Sequence, residues 1–383
     1  MRCCRATRIE LGAHLFFTMI NPRSISLLNR IHAIGTRFTR ADVGRWWTAT
    51  SGRRQAASAA RTRPEVAFHP NPIAWIRWLS AACVAVLAGC NRAEKSAAGG
   101  TGAKPTIALV VKTLNNPFFI EMQKGAEDAA KKLGANLIVQ AAEREIDVER
   151  QMQIIENLIE RKVSALCITP SGSREIVPVI VKANKANIPV LIVDTRADEK
   201  ALAAAGGKIA TFIGSDNYDG GKIAGAFMTE KLGGKGSVIV LEGIPGHETG
   251  DARLRGFRET MVKSPNIKIV ASQPANWERD QGFNVFQNLL QANPDVSGLF
   301  ACSDLMALGA LEAIAAAGKT GKIVVVGFDA QPEAREAIKQ GRMAATVAQF
   351  PARMGGTAVE YAVRIVRGES VPAFTPVAIE LVK

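Results

Sequence analysis

From residue 105 onward, short aliphatic runs alternate with amphipathic stretches of helical spacing, and this alternation is the strongest constraint on the fold. The runs with the length and composition of buried strands are Ile107–Val111, Leu137–Gln140, Ala165–Ile168, Val190–Val193, Thr211–Gly214, Ser237–Leu241, Ile267–Ala271, Gly298–Cys302, Ile323–Gly327 and Ala345–Ala348. Such alternation predicts an α/β protein with parallel sheets and helices on both faces. Because one strongly twisted sheet rarely holds this many strands, we expect two doubly wound parallel-sheet lobes.

The turn after the first run carries polar and aromatic residues. Asn116 and Pro117 end the run, and Phe118 and Phe119 begin a segment with helical spacing. Such a turn lies at the carboxyl edge of a parallel sheet, where open α/β proteins bind their ligands. Flat apolar faces beside neutral hydrogen-bonding groups suit a sugar.

The formal net charge of +13 is concentrated near the N-terminus. Residues 1–77 contain thirteen Arg, no Lys and three acidic residues, which gives +10 and leaves only +3 for the remainder. We interpret residues 1–72 as upstream sequence translated from a start codon assigned too early; the alternative is a disordered basic arm that binds acidic partners. No nucleic-acid partner is expected for the rest of the chain.

Residues 73–90 have the composition of an export signal. Arg77 precedes an apolar stretch that is too short to span a bilayer and that ends in small residues. The final segment, Leu87–Cys90, resembles the lipobox of bacterial lipoproteins, with Cys90 as the acylated residue; the alternative is an ordinary signal peptide. Residues 91–104 have the composition of a flexible tether. We expect a protein in the periplasm or on the outer face of the cell envelope, anchored by a lipid on Cys90.

The sequence shows no catalytic or metal-binding constellation. His247 is the one histidine after the signal segment, and we interpret it as a solvated residue at a helix start. The segment Gly220–Lys222 lacks the spacing and the hydroxyl residue of a phosphate-binding loop. Cys167 and Cys302 lie in aliphatic runs and are expected to be free and buried. We therefore expect a protein without a cofactor or a metal that is not an enzyme.

Aspartates at three strand ends fall into two groups. Asp304 directly precedes a helix and is expected to cap it. Asp194 and Asp329 are followed by stretches that do not begin a helix at once. A carboxylate can accept hydrogen bonds from two neighbouring hydroxyls, which is what recognition of a polyol requires.

Several stretches together resemble the ribose-type sugar-binding proteins of bacterial ABC transporters, which belong to the type I periplasmic binding protein family. These stretches read IALVVKTLNNPFF, SDNYDGGKIAG, SQPANWERDQG, NVFQNLLQANPDV, DLMALGALEAI, VVVGFDAQPE and AATVAQFP. The resemblance implies two lobes joined by three crossings, with the ligand closed between them by a hinge. The implied N-terminal lobe comprises residues 105–215 and 350–378, and the implied C-terminal lobe comprises residues 216–349 and 379–383.

The resemblance also implies a sugar pocket. Carried over position by position, its residues are Asn116, Phe118, Phe119, Asp194, Arg253, Trp277, Asp329 and Gln349. Aromatic rings would cover the C–H faces of the sugar while the polar groups bind its hydroxyls. Three pocket positions depart from the ribose binders: Thr169 and Ser303 stand in place of asparagines, and Thr195 in place of an arginine for which Arg196 is a candidate substitute. These changes predict a pocket that is larger or that has a different pattern of hydrogen bonds.

The function implied is that of an exported solute-binding component of an ABC-type sugar importer. Such a protein, expected as a monomer, would deliver a monosaccharide or polyol to a permease in the inner membrane. The alternative is a sugar sensor that presents its ligand-bound form to a chemoreceptor or a sensor kinase. Nothing before Lys104 has the pattern of a helix-turn-helix, which argues against a DNA-binding regulator.

Overall fold

The computed structural model describes residues 104–383, so the expected export signal, Cys90 and nearly all of the tether lie outside the described range. The strands are β1 Thr106–Thr113, β2 Asn136–Ala142, β3 Ala165–Ile168, β4 Val190–Val193, β5 Thr211–Gly214, β6 Gly236–Glu242, β7 Ile267–Pro274, β8 Gly298–Ala301, β9 Val324–Asp329, β10 Ala345–Ala348, β11 Phe374–Pro376 and β12 Glu380–Val382. The helices are α1 Pro117–Leu133, α2 Val148–Glu160, α3 Val177–Lys185, α4 Glu199–Ala204, α5 Asn217–Lys231, α6 Glu248–Val262, α7 Arg279–Ala292, α8 Asp304–Ala316, α9 Pro332–Lys339 and α10 Pro351–Val366.

The strands form two six-stranded sheets, with orders β11-β5-β4-β3-β1-β2 and β12-β10-β9-β8-β6-β7. All neighbours in the first sheet pair in parallel. In the second sheet only β10 and β12 pair antiparallel. We call the first sheet with its helices the N-terminal lobe and the second the C-terminal lobe. The expected α/β class with two parallel-sheet lobes is confirmed.

Strand β1 shows why its sequence is aliphatic without interruption. Ile107, Leu109 and Val111 pack in a core with α1 and α10, whereas Ala108 and Val110 pack in a second core with α2 and α3. Alternate side chains of a strand point to opposite faces, so helices on both faces require apolar residues at every position. The same reasoning applies to the four fully buried positions of β4.

The chain passes between the two sheets three times. After β5, helix α5 packs against α6 and β9 of the C-terminal lobe, and after β10, helix α10 packs against α1 and β3 of the N-terminal lobe. The third passage lies between β11, in the first sheet, and β12, in the second. These last two strands were not among the ten predicted, because segments of three residues are too short to show an apolar periodicity.

Some features bear on the expectations about membranes, metals and cysteines. No helix between residues 104 and 383 is long and apolar enough to cross a membrane. Over the same residues, His, Cys, Asp and Glu form no group that could hold a metal ion. Cys167 and Cys302 are free, and burial raises the pKa of each thiol to about 12.

Candidate ligand-binding site

A cavity lies between the lobes, where strand ends of both sheets meet, and its empty space, including the part open to solvent, is about 310 Å³. The residues that line it are Lys112, Asn116, Phe118, Phe119, Glu145, Asp194, Thr249, Arg253, Trp277, Ser303, Asp329 and Gln349. The eight residues that the resemblance assigns to a pocket are all in this set, and so is Ser303. Thr169 and Thr195 are not.

Asn116 connects helix α1, the cavity wall and the opposite lobe. Its Oδ1 accepts hydrogen bonds from the backbone N–H of Phe118, at 3.0 Å, and from Nε2 of Gln331 in the C-terminal lobe, at 3.0 Å. Its Nδ2 donates to Oε1 of Glu145 at 2.9 Å. These contacts use both lone pairs of the amide oxygen and one amide hydrogen, which leaves one N–H for the cavity.

A buried cluster of charges that the sequence did not reveal forms the next part of the N-terminal wall. Lys112 Nζ lies 3.8 Å from Glu145 Oε2 and 3.6 Å from Asp194 Oδ2. Both separations are longer than a hydrogen bond, so the ammonium is balanced in charge while its N–H groups stay available. Burial raises the pKa of Glu145 to about 7, although the positive charge of Lys112 and the hydrogen bond from Asn116 oppose the shift.

Asp194 directly follows β4 with a left-handed backbone, φ 64°, and its side chain lines the cavity. Its Oδ2 accepts a hydrogen bond from the hydroxyl of Thr195 at 3.0 Å. The same hydroxyl lies 3.0 Å from Oγ1 of Thr249, in helix α6 of the other lobe. Thr195 thus acts behind Asp194 and does not itself line the cavity.

Of the other residues considered for the N-terminal wall, neither Thr169 nor Arg196 lines the cavity. The hydroxyl of Thr169 points to Sδ of Met122, at 3.6 Å, and is fully buried away from the cavity. Arg196 does not replace the missing arginine, because its guanidinium stacks on the ring of Phe212, 4.0 Å from the centroid.

Arg253 dominates the C-terminal wall and is held on several sides. Its Nε donates to Oδ1 of Asn217 at 2.8 Å, and its Nη1 donates to the carbonyl of Cys302 at 2.6 Å. Nη1 also lies 3.4 Å from Oδ1 of Asp329, and the guanidinium plane sits 3.7 Å from the centroid of Phe328. No hydrogen bond of Nη2 occurs within the described residues, so this nitrogen is available to a ligand.

Asp329 ends β9 beside Arg253, and its backbone is also left-handed, with φ 108°. Its Oδ1 accepts a hydrogen bond from Nε2 of Gln349 at 3.0 Å. Burial raises the pKa of this carboxyl to about 6, and the charge of Arg253 opposes the shift. Oδ1 is thereby occupied, and Oδ2 is left for a ligand.

Asp304 does not cap helix α8, contrary to expectation. The cap is Ser303, whose Oγ accepts from the backbone N–H of Met306 at 3.4 Å. Asp304 is the first helical residue, and its carboxylate instead accepts from the hydroxyl of Thr346 at 2.7 Å and from the backbone N–H of Gln331 at 2.8 Å. Burial, together with the charge of nearby Asp329, raises its pKa well above the usual value. It supports the cavity wall from behind.

The aromatic side of the cavity has two parts. Phe118 and Phe119 meet edge to face, with centroids 5.2 Å apart, and both also belong to the core beneath α1. Trp277, from the C-terminal lobe, is 5% exposed. Its indole lies so close to Gly243 that a Cβ there would collide with the ring, so this position requires glycine. The rings therefore have fixed places from which to cover a ligand.

His247 is buried, so the interpretation of a solvated turn residue was wrong. It does precede α6 directly, as expected, but its Nε2 lies 3.3 Å from the carbonyl of Pro170 in the other lobe. Its ring packs edge-on to Trp277, with centroids 5.9 Å apart. Burial and then the charge of Lys112 lower its pKa well below the usual value. The reason for the error is that the contact between the lobes covers it.

Three residues that line the cavity were not predicted from the sequence, namely Lys112, Glu145 and Thr249. Lys112 is the one charge in the apolar strand β1, which is a usable signal. Thr249 lies four residues before Arg253 and so shares its helix face. Glu145 follows β2 in a polar stretch and offered no comparable signal.

A polar and aromatic cavity between two doubly wound lobes defines a two-lobed solute-binding protein. The periplasmic binding protein domain family matches residues 107–370. The chain belongs to this family, which implies a periplasmic location, and the resemblance predicted from the motifs is confirmed.

Individual relatives agree with this assignment. The ribose import binding protein of Escherichia coli K12 is 42% identical over 280 residues, which cover 73% of this chain and 91% of that protein. The D-allose-binding periplasmic protein of the same organism is 40% identical over 254 residues, covering 66% and 82%. The structure of an ABC transporter periplasmic solute binding protein from Actinobacillus succinogenes 130z with bound D-allose has 43% identity and a TM-score of 0.70, and the match covers 73% and 97% of the two chains. By name, all three are binding proteins, and the first and the third are those of transport systems.

Proposed function

We propose that this protein is the solute-binding component of an ABC-type sugar importer, that it holds one neutral monosaccharide or polyol between its lobes, and that it passes this ligand to a permease in the inner membrane. The observation that carries the proposal is the cavity itself, in which hydrogen-bond donors and acceptors from both lobes converge beside three aromatic rings. The role is one of binding and release and requires no catalysis. The named ligands of the relatives support the class of ligand.

The unused polar groups suit hydroxyls, which donate and accept at once. Donors remain on Lys112, Asn116 and Arg253. Acceptors remain on Asp194 and Asp329, and the buried Oε1 of Gln349 has no partner within the described residues. A ring with several hydroxyls can satisfy both kinds of group, whereas an apolar ligand would leave them buried and unpaired.

The charges of the cavity favour a neutral ligand over an acidic one. The cations Lys112 and Arg253 face the carboxyls of Glu145, Asp194 and Asp329. Each cation already has a carboxylate near it, so no positive charge is left to balance a ligand carboxylate. We therefore place uronic and aldonic acids outside the ligand class.

Ligand binding and lobe closure are coupled in this proposal. The ligand gains contacts from both walls only when the lobes meet, and this difference in contact energy shifts the population toward the closed form. The three passages between the sheets serve as the hinge. The permease would recognise the closed surface.

The family implies a periplasmic location, and we further propose that a lipid anchors the protein. We place the protein in the periplasm with a lipid on Cys90, supported by the Leu87–Cys90 segment at the end of the apolar stretch. Replacing Cys90 with Ser should move the protein from the membrane fraction to the soluble fraction and abolish incorporation of labelled fatty acid. Unchanged membrane association would contradict the anchor.

A thermal-shift screen tests the proposal. D-ribose, D-allose, D-arabinose, D-tagatose, D-fucose and myo-inositol serve as neutral probes, and D-galacturonate serves as the acidic control. A ligand at one hundred times its dissociation constant stabilises the native state by about 2.7 kcal/mol, enough for a shift of several degrees. We expect at least one neutral sugar to give this shift and the acid to give none. A screen in which no neutral sugar shifts the transition would overturn the proposal.

A further inference from the structure

Two cavity groups of the N-terminal lobe are held by side chains of the C-terminal lobe. One contact joins Thr249 to Thr195, which in turn bonds Asp194. The other joins Gln331 to Asn116. All five side chains are buried.

The direction of the first contact follows from proton counting. Thr195 has a single hydroxyl hydrogen, and the carboxylate of Asp194 can only accept, so Thr195 donates to Asp194 Oδ2. Thr195 then has only lone pairs to offer to Thr249, 3.0 Å away, so the hydroxyl of Thr249 must be the donor. Hydrogen bonds therefore run from Thr249 through Thr195 to Asp194.

This direction determines what Thr249 presents to the cavity that it lines. Its hydrogen is committed to Thr195, so a ligand meets only its lone pairs. Asp194 Oδ2 receives the hydroxyl of Thr195 and the charge of Lys112, which leaves Oδ1 as the acceptor for the ligand. Thr249 thus fixes the orientation of a carboxylate in the opposite lobe.

The second contact, between Gln331 and Asn116, orients a hydrogen-bond donor, the amide N–H of Asn116. Oδ1 of Asn116 is held by the N–H of Phe118 within its own lobe and by Gln331 from the other lobe. With both lone pairs occupied, the amide cannot flip, and one N–H of this cavity-lining residue remains for a ligand. Loss of Gln331 would leave one lone pair of a buried amide unmatched.

We propose that Thr249 and Gln331 are positioning residues that complete the N-terminal wall only when the lobes close, Thr249 by orienting Asp194 through Thr195 and Gln331 by orienting Asn116. The inference rests on the proposed function and adds the route by which closure sets the ligand-facing groups. Because each contact joins the two lobes, separation of the lobes would break both. The affinity for the ligand therefore depends on lobe closure through these two residues, in addition to the direct contacts between the ligand and each lobe.

The test uses titration calorimetry of the purified protein with D-allose and D-ribose. Thr249→Val keeps the shape and loses the hydroxyl, whereas Thr249→Ser keeps the hydroxyl. We expect the valine variant to bind about 3- to 10-fold more weakly, as for one lost buried hydrogen bond, and the serine variant to stay within about 2-fold of wild type. Equal weakening in both variants would mean that Thr249 acts by packing and would overturn the proposal.

A double-mutant cycle tests the route through Thr195. Thr195→Val should weaken binding, and adding Thr249→Val should cost little more, because the first change already breaks the chain to Asp194. Gln331→Met should weaken binding independently, so its effect should add to that of Thr249→Val. Additive effects of the two threonine changes would overturn the route.

The outcomes separate this inference from the proposed function. A wild-type protein that binds none of the neutral sugars of the screen overturns the proposed function, and this inference with it. Normal binding by wild type together with unchanged binding by Thr249→Val and Gln331→Met overturns the inference alone. Matching thermal unfolding of the free variants establishes that they fold.

Discussion

The two walls of the cavity hold their cations differently. In the C-terminal lobe, Arg253 donates two hydrogen bonds of 2.8 and 2.6 Å and stacks on Phe328. In the N-terminal lobe, Lys112 has its two carboxylate partners at 3.6 and 3.8 Å. We infer that the C-terminal wall is rigid before a ligand arrives, whereas the N-terminal wall is completed by the ligand and by lobe closure. One cavity can therefore combine a fixed half with an adjustable half.

The largest effect should come from removing the fixed cation. Arg253→Met leaves Asp329 buried without its charge partner, and we expect loss of measurable sugar binding with about 3–5 kcal/mol lower unfolding free energy. A loss of stability is expected here because the side chains of Arg253 and Asp329 are only 4% and 7% exposed. Urea unfolding and calorimetry with D-allose measure both quantities. Arg255→Met, exposed on the same helix, is the matched control and should change neither.

Removing the adjustable cation should cost less. Lys112→Met takes away a donor that forms no short hydrogen bond, so we expect binding weaker by about 10- to 30-fold and a stability loss of about 1–3 kcal/mol. Exposed Lys124, in helix α1, gives the control variant Lys124→Met. A stability loss as large as that of Arg253→Met would break the comparison between the walls.

The pH dependence of the N-terminal wall provides a third prediction. The pKa of Glu145 is about 7 in the folded protein, against its ordinary 4.5, so its contribution to stability is fully present below pH 4.5 and is lost as the pH rises through 7. Glu145→Gln mimics the neutral acid at every pH. The variant should match wild type near pH 4.5 and exceed it by about 1–3 kcal/mol at pH 8.

Urea unfolding at pH 4.5, 6 and 8 measures this difference, and exposed Glu143→Gln serves as the control. A variant that is less stable than wild type at pH 8 would show that the ion pair with Lys112 outweighs the cost of burying the carboxylate. The N-terminal wall would then be as firmly paired as the C-terminal one.

The smallest effect should come from Thr169. Its hydroxyl points to Met122 and away from the cavity, so Thr169→Val should change the affinity for D-allose by less than about 2-fold. Calorimetry beside the Thr249→Val variant makes the contrast direct. A large loss of affinity in Thr169→Val would show that Thr169 contributes to ligand binding in the N-terminal wall.

Site residues could be predicted where a local sequence pattern marks their position in the fold. Asn116, Asp194 and Asp329 stand at strand ends that sequence periodicity locates, and the topology brings such ends together. Lys112 and Thr249 lie in the same cavity, yet their neighbours come from distant parts of the chain. Their roles could be found only once those neighbours were in place.

By itself, the sequence determined the alternation of strands and helices and the residue types at the strand ends, because both depend on local periodicity and on turns within a few residues. The tertiary structure alone decided which of these residues face one another. The burial of His247 and the hydrogen bond between Thr249 and Thr195 depend on how side chains of the two lobes approach. The position of Thr169 depends on its packing against Met122 of helix α1 within one lobe. Such contacts join residues far apart in the chain, and no local pattern encodes the distance between them.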